Sequence, residues 1–315
     1  RIVVNDPANQ RHRGADEGMG KVEEALAYAP NNALLGSSTT RTPLPIGLWV
    51  YNAHVGKKGR FHQWMYRWLA ARPVTLTTVK PANRALAAQN VLHENGFFRG
   101  AARYEIIPDH KDSLKARVRY LVTLGEPYMI DSVRFRRMQG RNDTTIKWRD
   151  KDRLLHRGDL FTIEKLEAER QRIASIMRNN GYYYFRLEYI EVQADSTKGD
   201  HLVDLRVRVR RDVPRDFIRK PWFMGRTAIR LIGYDGEEPT DSLTYGPVTI
   251  HYEGRLRLRP HVLLNALRYE RGDRYSLAAQ EETLAAMNKL RTFRFVDMQY
   301  TPTDTSATCD TMNLR

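Results

Sequence analysis

The sequence predicts an α+β fold, arranged as a tandem array of three β-α-α-β-β modules. Each module is expected to form a three-stranded mixed sheet covered on one face by two helices. Two observations predict this repeat. One helix-like stretch ends at Asn95-Gly96 and another at Asn180-Gly181, and the two glycines lie 85 positions apart. After each glycine, apolar and polar residues alternate through two successive strands, which indicates one buried sheet face. Such repeats are typical of arrays that bind partners.

The clearest module spans 126–213. A first strand is followed by a predicted helix over 146–156, which ends at Gly158, a residue type that favours helix C-termini. Thr162 is positioned to cap a second helix, and Gly181 ends that helix because glycine tolerates the left-handed conformation. Apolar residues spaced by seven and four predict one buried helix stripe, made of Leu166, Ile173 and Met177. The two following strands have apolar faces made of Tyr183, Phe185, Leu187 and Tyr189, and of Val203, Leu205, Val207 and Val209.

The first module, 1–125, is predicted to be an expanded copy. Its second helix opens at Pro81, because the fixed φ of proline suits the first helical position. Alternating residues after Gly96 predict two strands, as in the middle module. Residues 31–80 have no counterpart there and form an insertion.

The third module, 221–315, carries an insertion at 235–258. Ser276 is expected to cap its long helix. Where the other modules have a glycine stop, this one has Leu290-Arg291. The sequence ends at Arg315 inside a predicted last strand, so we expect that further protein follows.

Charge and composition narrow the function. The 315 residues include 52 Lys and Arg against 37 Asp and Glu, a net charge of +15. Such a balance favours nucleic acid, anionic lipid or acidic proteins as partners. The single cysteine, Cys309, excludes a disulfide framework. The sequence contains no phosphate-binding glycine loop, zinc-binding His-Glu-x-x-His or Gly-x-Ser-x-Gly elbow, so we expect neither an enzyme nor a cofactor nor a metal.

The ordered motifs resemble tandem POTRA domains, the β-α-α-β-β modules of the BamA/TamA superfamily of outer-membrane assembly factors. A Gly-aromatic pair follows the second helix at 96–97 and 181–182. A Gly-Asp-x-aromatic-(Thr/Ser) element precedes that helix at 158–162 and again at 272–276. The Gly-Glu-Pro-Tyr at 125–128 resembles the entry into a new first strand. Within the insertion, Pro30-Asn31-Asn32 and the Pro-rich 43–49 stretch resemble the TamA-like lipoprotein branch (TamL) of Bacteroidota.

The resemblance implies a periplasmic array in a Gram-negative bacterium, with an outer-membrane β-barrel after Arg315. Its partners would be outer-membrane protein clients or an inner-membrane-anchored protein. The second strand of each sheet would be an exposed edge, whose free backbone N–H and C=O groups accept an added strand. The alternative is an edge that charged residues merely keep soluble. Applied to 98–107, 183–192 and 293–300, this places partner-binding residues at Phe98, Arg99, Tyr104, Tyr183, Tyr184, Phe185, Arg186, Phe293 and Phe295.

A basic surface is predicted on the outer face of the last strand of the middle module. If the valines and Leu205 face the helices, the alternating arginines face away from them. Such a surface is suited to anionic lipid or lipopolysaccharide headgroups, and the alternative is a solvated strand face. Its residues are Arg206, Arg208, Arg210 and Arg211.

Residues 57–72 are predicted to form a basic amphipathic helix. Its apolar stripe comprises Phe61, Trp64, Met65, Trp68 and Leu69. We expect the stripe to pack on its own module, because so large an apolar face would otherwise remain in water. The alternative is a helix that lies in a membrane interface.

Two other functions remain open at this stage. The positive charge is compatible with a nucleic-acid-binding protein, although the aromatic residues fall on core-facing strand positions rather than on an open stacking surface. An adhesion or scaffold array without a membrane barrel is the other alternative.

Overall fold

The computed structural model describes residues 2–5, 15–33, 40, 43–110, 115–138, 144, 146, 150–197, 199–213, 218–233, 236, 238–256, 258–302 and 310–314. Cys309 lies outside these ranges. The chain divides into two compact units. Unit 1 contains Arg1–Asp131, Arg157–Glu164 and Ser196–Val203, and unit 2 contains Ser132–His156, Lys165–Asp195 and Asp204–Arg315.

The first sheet lies in unit 1 and is three-stranded and mixed, as predicted. Its strands β1 (Ile2–Asn5), β2 (Ala101–Pro108) and β3 (Ala116–Thr123) have the order β1-β3-β2. Strand β1 runs parallel to β3, and β2 runs antiparallel to it. Helices α1 (Ala15–Leu26) and α5 (Pro81–Glu94) supply the helical side of the core. That core consists of Val22, Leu26, Ala85, Ala88, Leu92, Phe97, Ala102, Tyr120, Val122 and Leu124.

The predicted insertion in this module contains three further helices, α2 (Ile46–His54), α3 (Arg60–Leu69) and the short α4 (Leu76–Val79). Helix α3 corresponds to the basic amphipathic helix predicted over 57–72. The expectation that its apolar stripe packs on its own module is wrong, because α3 contains no buried residue.

The second sheet has the order β4-β6-β5, built from β4 (Met129–Phe135), β5 (Ile190–Asp195) and β6 (Leu202–Val209). The predicted helix stripe is carried by α6 (Ile163–Asn179), in which Ile173 and Met177 are fully buried. The predicted apolar face of β6 is confirmed, since its three valines and Leu205 are all less than 5% exposed.

The helix predicted over 146–156 is wrong in the part of that segment which the structure describes, where only a 3₁₀ turn occurs at Asp150–Asp152. The Glu169 side chain fixes the position of this segment instead. The Leu154 N–H donates to the Glu169 carboxylate at 2.9 Å, and Glu169 is only 1% exposed. Arg172 donates to both oxygens of the same carboxylate, at 2.6 and 2.8 Å. Because these bonds satisfy the buried carboxylate, the loop is fixed without an α-helix.

The third sheet has five strands rather than the three predicted. The two additional strands form a hairpin inside the predicted insertion at 235–258. The second strand of this hairpin (Val248–Tyr252) pairs in parallel with the first strand of the module (Trp222–Arg230). The alternation of residues along a strand does not show which other strand lies beside it. The order is β10-β11-β7-β9-β8, formed by β7 (Trp222–Arg230), β8 (Asp241–Tyr245), β9 (Val248–Tyr252), β10 (Tyr300–Pro302) and β11 (Asp310–Leu314).

Helices α7 (Pro260–Leu264) and α8 (Leu277–Lys289) cover the third sheet. The predicted cap is confirmed, because the Ser276 hydroxyl accepts a hydrogen bond from the Ala279 N–H. At the expected glycine stop, Arg291 adopts a φ of +52°, whereas Gly181 in the middle module has +100°. A non-glycine residue therefore occupies the left-handed position after this helix.

Candidate partner-binding edges and module junctions

The Gly-aromatic and Gly-Asp-x-aromatic motifs meet in unit 1 and form a junction between the first and second sheets. The Tyr128 N–H, just before β4, donates to the Gly96 carbonyl oxygen at 2.9 Å. The Phe161 N–H donates to the Tyr128 carbonyl oxygen at 2.9 Å. The Phe98 ring lies 5.1 Å from Tyr128 and 5.5 Å from Phe161 between centroids. The motifs thus join consecutive modules.

The same junction recurs in unit 2, between the second and third sheets. The Trp222 N–H donates to the Gly181 carbonyl oxygen at 2.7 Å, and the Tyr275 N–H donates to the Trp222 carbonyl oxygen at 2.9 Å. The Tyr183 ring lies 4.9 Å from Tyr275, and the Tyr184 ring lies 5.0 Å from Trp222. The same pair of backbone hydrogen bonds therefore connects consecutive sheets at both junctions.

This pattern changes the role of four predicted partner-binding residues. Phe98, Tyr183 and Tyr184 contact the next module, and Phe185 is 1% exposed in the core. None of them lies on a strand, because β2 begins at Ala101 and β5 begins at Ile190. The strands predicted over 98–107 and 183–192 therefore start too early. Two exposed arginines also precede the strands, namely Arg99 and Arg186.

Strand β2 is the predicted edge whose position and surface suit strand addition best. It is the outermost strand of its sheet, pairs only with β3 among the described strands, and is eight residues long. Ala102, Tyr104 and Ile106 share one face. Ala102 is buried by the helices, but Tyr104 is 41% and Ile106 46% exposed. The far end of β2 thus combines an outer backbone edge that no other described strand pairs with an exposed apolar face.

Strand β5 is also outermost in its sheet, but its side chains are already engaged. Arg208 on β6 donates to the Glu191 carboxylate at 3.0 Å. That hydrogen bond lowers the pKa of Glu191 below its ordinary value. Val192 packs against the core of the second module. An added strand at β5 would therefore meet a polar, internally paired surface.

The third predicted edge is much shorter than expected over 293–300. Strand β10 has only three residues and includes Pro302, which cannot donate a ladder hydrogen bond. Phe293 and Phe295 precede it outside any strand; Phe293 packs against the third core, and Phe295 is 80% exposed.

Sequence reasoning missed the other edge of the third sheet. Strand β8 is outermost, and all five of its residues are exposed, including Leu243 and Tyr245. The signal was present in the sequence, because Tyr245-Gly246-Pro247 lies between two alternating stretches. Such a pair of stretches around a glycine turn is typical of a hairpin. The long interval from β7 made it look like an insertion.

The predicted basic surface is partly neutralised. Arg208 is paired with Glu191, and Arg210 donates to Asp212 at 2.7 Å. That ion pair lowers the pKa of the Asp212 carboxyl. Arg206 and Arg211 are exposed. The four arginines therefore present less net positive charge than their number indicates.

The described residues contain no cluster of three His, Cys, Asp or Glu side chains arranged to hold a metal ion. Among these same residues, no helix is both long and apolar enough to cross a bilayer. The outermost strands offer chemistry for recognition through backbone hydrogen bonds. At β2 and β8 they also present exposed apolar side chains.

Residues 148–211 match the POTRA family model, described as a surface antigen variable number repeat. This segment covers most of the middle module. No curated protein is significantly similar to the chain in sequence.

Several solved structures are similar to this chain. POTRA3-5 of BamA from Haemophilus influenzae is 13% identical, with 78% of this chain and 82% of that chain covered and a TM-score of 0.40. The N-terminal domain of Omp85 from Thermosynechococcus elongatus is 16% identical, with coverages of 82% and 92% and a TM-score of 0.26. POTRA1-3 of the periplasmic domain of Omp85 from Anabaena is 11% identical, with coverages of 99% and 93% and a TM-score of 0.27.

Proposed function

We propose that this chain is a periplasmic array of three POTRA modules, spanning about 1–125, 126–213 and 221–315. In this proposal it binds extended segments of outer-membrane protein clients by strand addition and so aids their assembly at the outer membrane. The observation that carries the proposal is the outer edge of β2, which no other described strand pairs, with its exposed Tyr104 and Ile106. The POTRA match over 148–211 supports the class of module.

The proposal is supported by a strand addition that the chain makes within itself. In the first two sheets, β1 and β4 are outermost strands. The corresponding strand of the third sheet, β7, is interior because β9 pairs with it in parallel from Thr227 to Arg230. The hairpin of β8 and β9 thus extends a sheet of the same kind by backbone pairing. A sheet of this architecture tolerates an extra strand at an edge.

The chemistry of β2 suits clients that alternate apolar and polar residues. Such clients include transmembrane barrel strands, which are about ten residues long and alternate in this way. Backbone hydrogen bonds from an eight-residue edge provide affinity without regard to sequence. Tyr104 and Ile106 then favour a client whose apolar residues fall on the same face.

The experiment measures the affinity of the chain for a labelled barrel-strand peptide of about ten residues, by fluorescence anisotropy. The test variant carries Tyr104→Lys and Ile106→Lys, which place two charges on the exposed face of β2. Because cross-strand pairs contribute about 0.2–1 kcal/mol each, the two changes should weaken binding about 2- to 30-fold. Both side chains are exposed, so the fold should be retained.

Ile232→Lys is the matched control. Ile232 is 58% exposed and lies outside any strand, so this variant should bind the peptide like the unmodified chain. Equal affinities for the β2 variant and the control would overturn strand addition at β2.

Finer assignments belong to the same proposal. An inner-membrane-anchored protein is the second partner that we propose. The resemblance of 30–32 and 43–49 to the TamL branch supports placing the chain near TamA-like factors. Of the four arginines in the predicted basic surface, we propose that Arg206 and Arg211 bind lipid or lipopolysaccharide headgroups.

A further inference from the structure

The hairpin of α2 and α3 exposes an unusual density of large apolar side chains. Of the twenty-two large hydrophobic residues that are exposed in the described part of the chain, ten lie between residues 44 and 76. The two most exposed of these are aromatic, Trp68 at 70% and Phe61 at 65%, and Trp64 between them is 54% exposed. A contiguous apolar patch of this kind on a surface marks an interaction site.

The two helices pack mainly through other residues, although the Phe61 ring also lies 6.3 Å from the His54 ring of α2 at one edge of the contact. The ring centroids of Tyr51 and Tyr66 lie 5.7 Å apart, and those of His54 and His62 lie 5.0 Å apart. At the opposite end of the hairpin, the N–H that follows α3 at Ala71 donates to the Gly47 carbonyl oxygen at 2.9 Å. These contacts place α2 and α3 antiparallel.

The remaining face of α3 forms an outward stripe, which we call the aromatic stripe. Phe61, Trp64 and Trp68 are spaced by three and four residues and therefore lie on one side of the helix. At 100° per residue, His62 and Tyr66 lie on a different side. The internal packing of the hairpin consequently leaves the aromatic stripe exposed.

Charge determines which partner fits this stripe. No Asp or Glu occurs from residue 25 to residue 93. Five basic residues lie in or beside α3 and are all exposed, namely Lys57, Lys58, Arg60, Arg67 and Arg72. Arg60 lies about one turn before Trp64 and Arg67 about one turn after it. Within the residues that the structure describes, none of the five cations forms an ion pair. The hairpin is therefore positively charged throughout.

We propose that the aromatic stripe of α3 docks into the headgroup region of an anionic lipid bilayer. Tryptophan is favoured at membrane interfaces, and arginine side chains extend their charged ends to the headgroups while their stems cover apolar surface. A basic helix with aromatic residues on one face is the arrangement that lies in the interface plane. This inference goes beyond strand addition at β2, because it concerns a different element and a different ligand.

Two other occupants fit the observations less well. A second copy of the hairpin would bring together two surfaces of equal positive charge, which repel each other. Single-stranded nucleic acid would stack on the aromatic rings, but it would leave the neighbouring Leu69, which is 47% exposed, and Val55, also 47% exposed, without an apolar partner.

The test is flotation of the whole chain with phosphatidylcholine vesicles, either alone or containing phosphatidylglycerol. We expect binding only to the anionic vesicles, and we expect it to weaken as ionic strength rises. Tryptophan fluorescence should shift to shorter wavelength on binding and should be quenched by brominated lipid. Trp64→Ser with Trp68→Ser should lower the partition coefficient at least about tenfold, because two interfacial rings are lost. Lys57→Gln with Lys58→Gln should lower it by about fivefold per cation.

Phe295→Ser is the matched control, because Phe295 is 80% exposed but lies far along the chain in the third module. This variant should bind anionic vesicles like the unmodified chain. Three results would overturn the proposal: no binding to anionic vesicles, equal binding by the double tryptophan variant, or displacement by a single-stranded oligonucleotide that itself binds through α3. Light scattering tests the remaining occupant. If the chain is a dimer and the double tryptophan variant is a monomer, the aromatic stripe binds a second copy of the chain and not a bilayer. The vesicle experiments do not involve β2, so a failure of the peptide-binding experiment would leave their results unaffected.

Discussion

Replacement of Gly96 by alanine tests whether the module junction depends on a glycine. Gly96 has a φ of +87°, and an added Cβ would overlap the carbonyl oxygen of Phe161. That oxygen belongs to the backbone and cannot rotate away. The left-handed conformation costs alanine about 1–2 kcal/mol, and the overlap costs about 1–3 kcal/mol more. We therefore expect Gly96→Ala to destabilise the first junction by about 2–5 kcal/mol.

Gly158→Ala separates the two contributions. Gly158 has a φ of +83°, nearly that of Gly96, but no atom lies within 4 Å of an added Cβ. This variant should lose only the conformational part, about 1–2 kcal/mol. The difference between the two variants isolates the overlap at the junction.

The assay is amide hydrogen exchange of Tyr128, whose N–H donates to the Gly96 carbonyl oxygen. Exchange reports local opening as a free energy. A difference of about 1–3 kcal/mol predicts exchange about 5- to 150-fold faster in Gly96→Ala than in Gly158→Ala. Equal exchange rates in the two variants would refute the assignment of Gly96 to a close backbone approach.

Two further predictions concern unit 2. Glu169→Ala should lower the free energy of unfolding by about 3–5 kcal/mol, because it leaves the Arg172 guanidinium without its carboxylate. Urea denaturation monitored by circular dichroism measures this free energy. A loss below about 1 kcal/mol, which is the range of exposed ion pairs, would contradict the prediction. Burial raises the pKa of Tyr275 and of Tyr300, and raises that of Tyr269 to about 12. Folding keeps these hydroxyls neutral, so their contribution to stability is fully present below about pH 10 and is lost as the pH rises through the raised pKa values. The urea midpoint should hold to pH 9 and fall above pH 10. The tyrosinate absorbance expected for all sixteen tyrosines should be reached only when the chain unfolds, and reaching it before unfolding would contradict the burial.

Local sequence signals predicted the elements that local chemistry determines. Pro81 opens α5, Ser276 caps α8, and Gly96 and Gly181 adopt positive φ after their helices. The alternation of β6 also identified its buried face correctly. Each of these features depends on residues within one turn or one strand.

The errors arise where distant residues decide the outcome. Tyr183 and Tyr184 alternate like strand residues, but Tyr275 and Trp222 from the next module enclose them. The interval at 235–258 contains a hairpin that joins β7, and strand order is not encoded in periodicity. The stripe of α3 was expected to be covered because apolar faces usually are, and nothing in its own sequence indicates that α2 packs on a different side.

The edge positions of the candidate strands were predicted. The second strand of each sheet lies at an edge, as the resemblance implied. Which of these edges presents apolar side chains depends on how far the helices extend over the sheet. In the first module they cover Ala102 but leave Ile106 46% exposed, and the length of helix cover cannot be obtained from strand alternation.

Hydrogen exchange of the whole chain with and without a barrel-strand peptide tests the central claim most directly. Addition of a strand to β2 would pair its outward N–H groups, so exchange at alternate residues of Ala101–Pro108 should slow while exchange at β8 remains unchanged. Protection confined to β8 or β10, or peptide binding with no change anywhere in β2, would contradict the account.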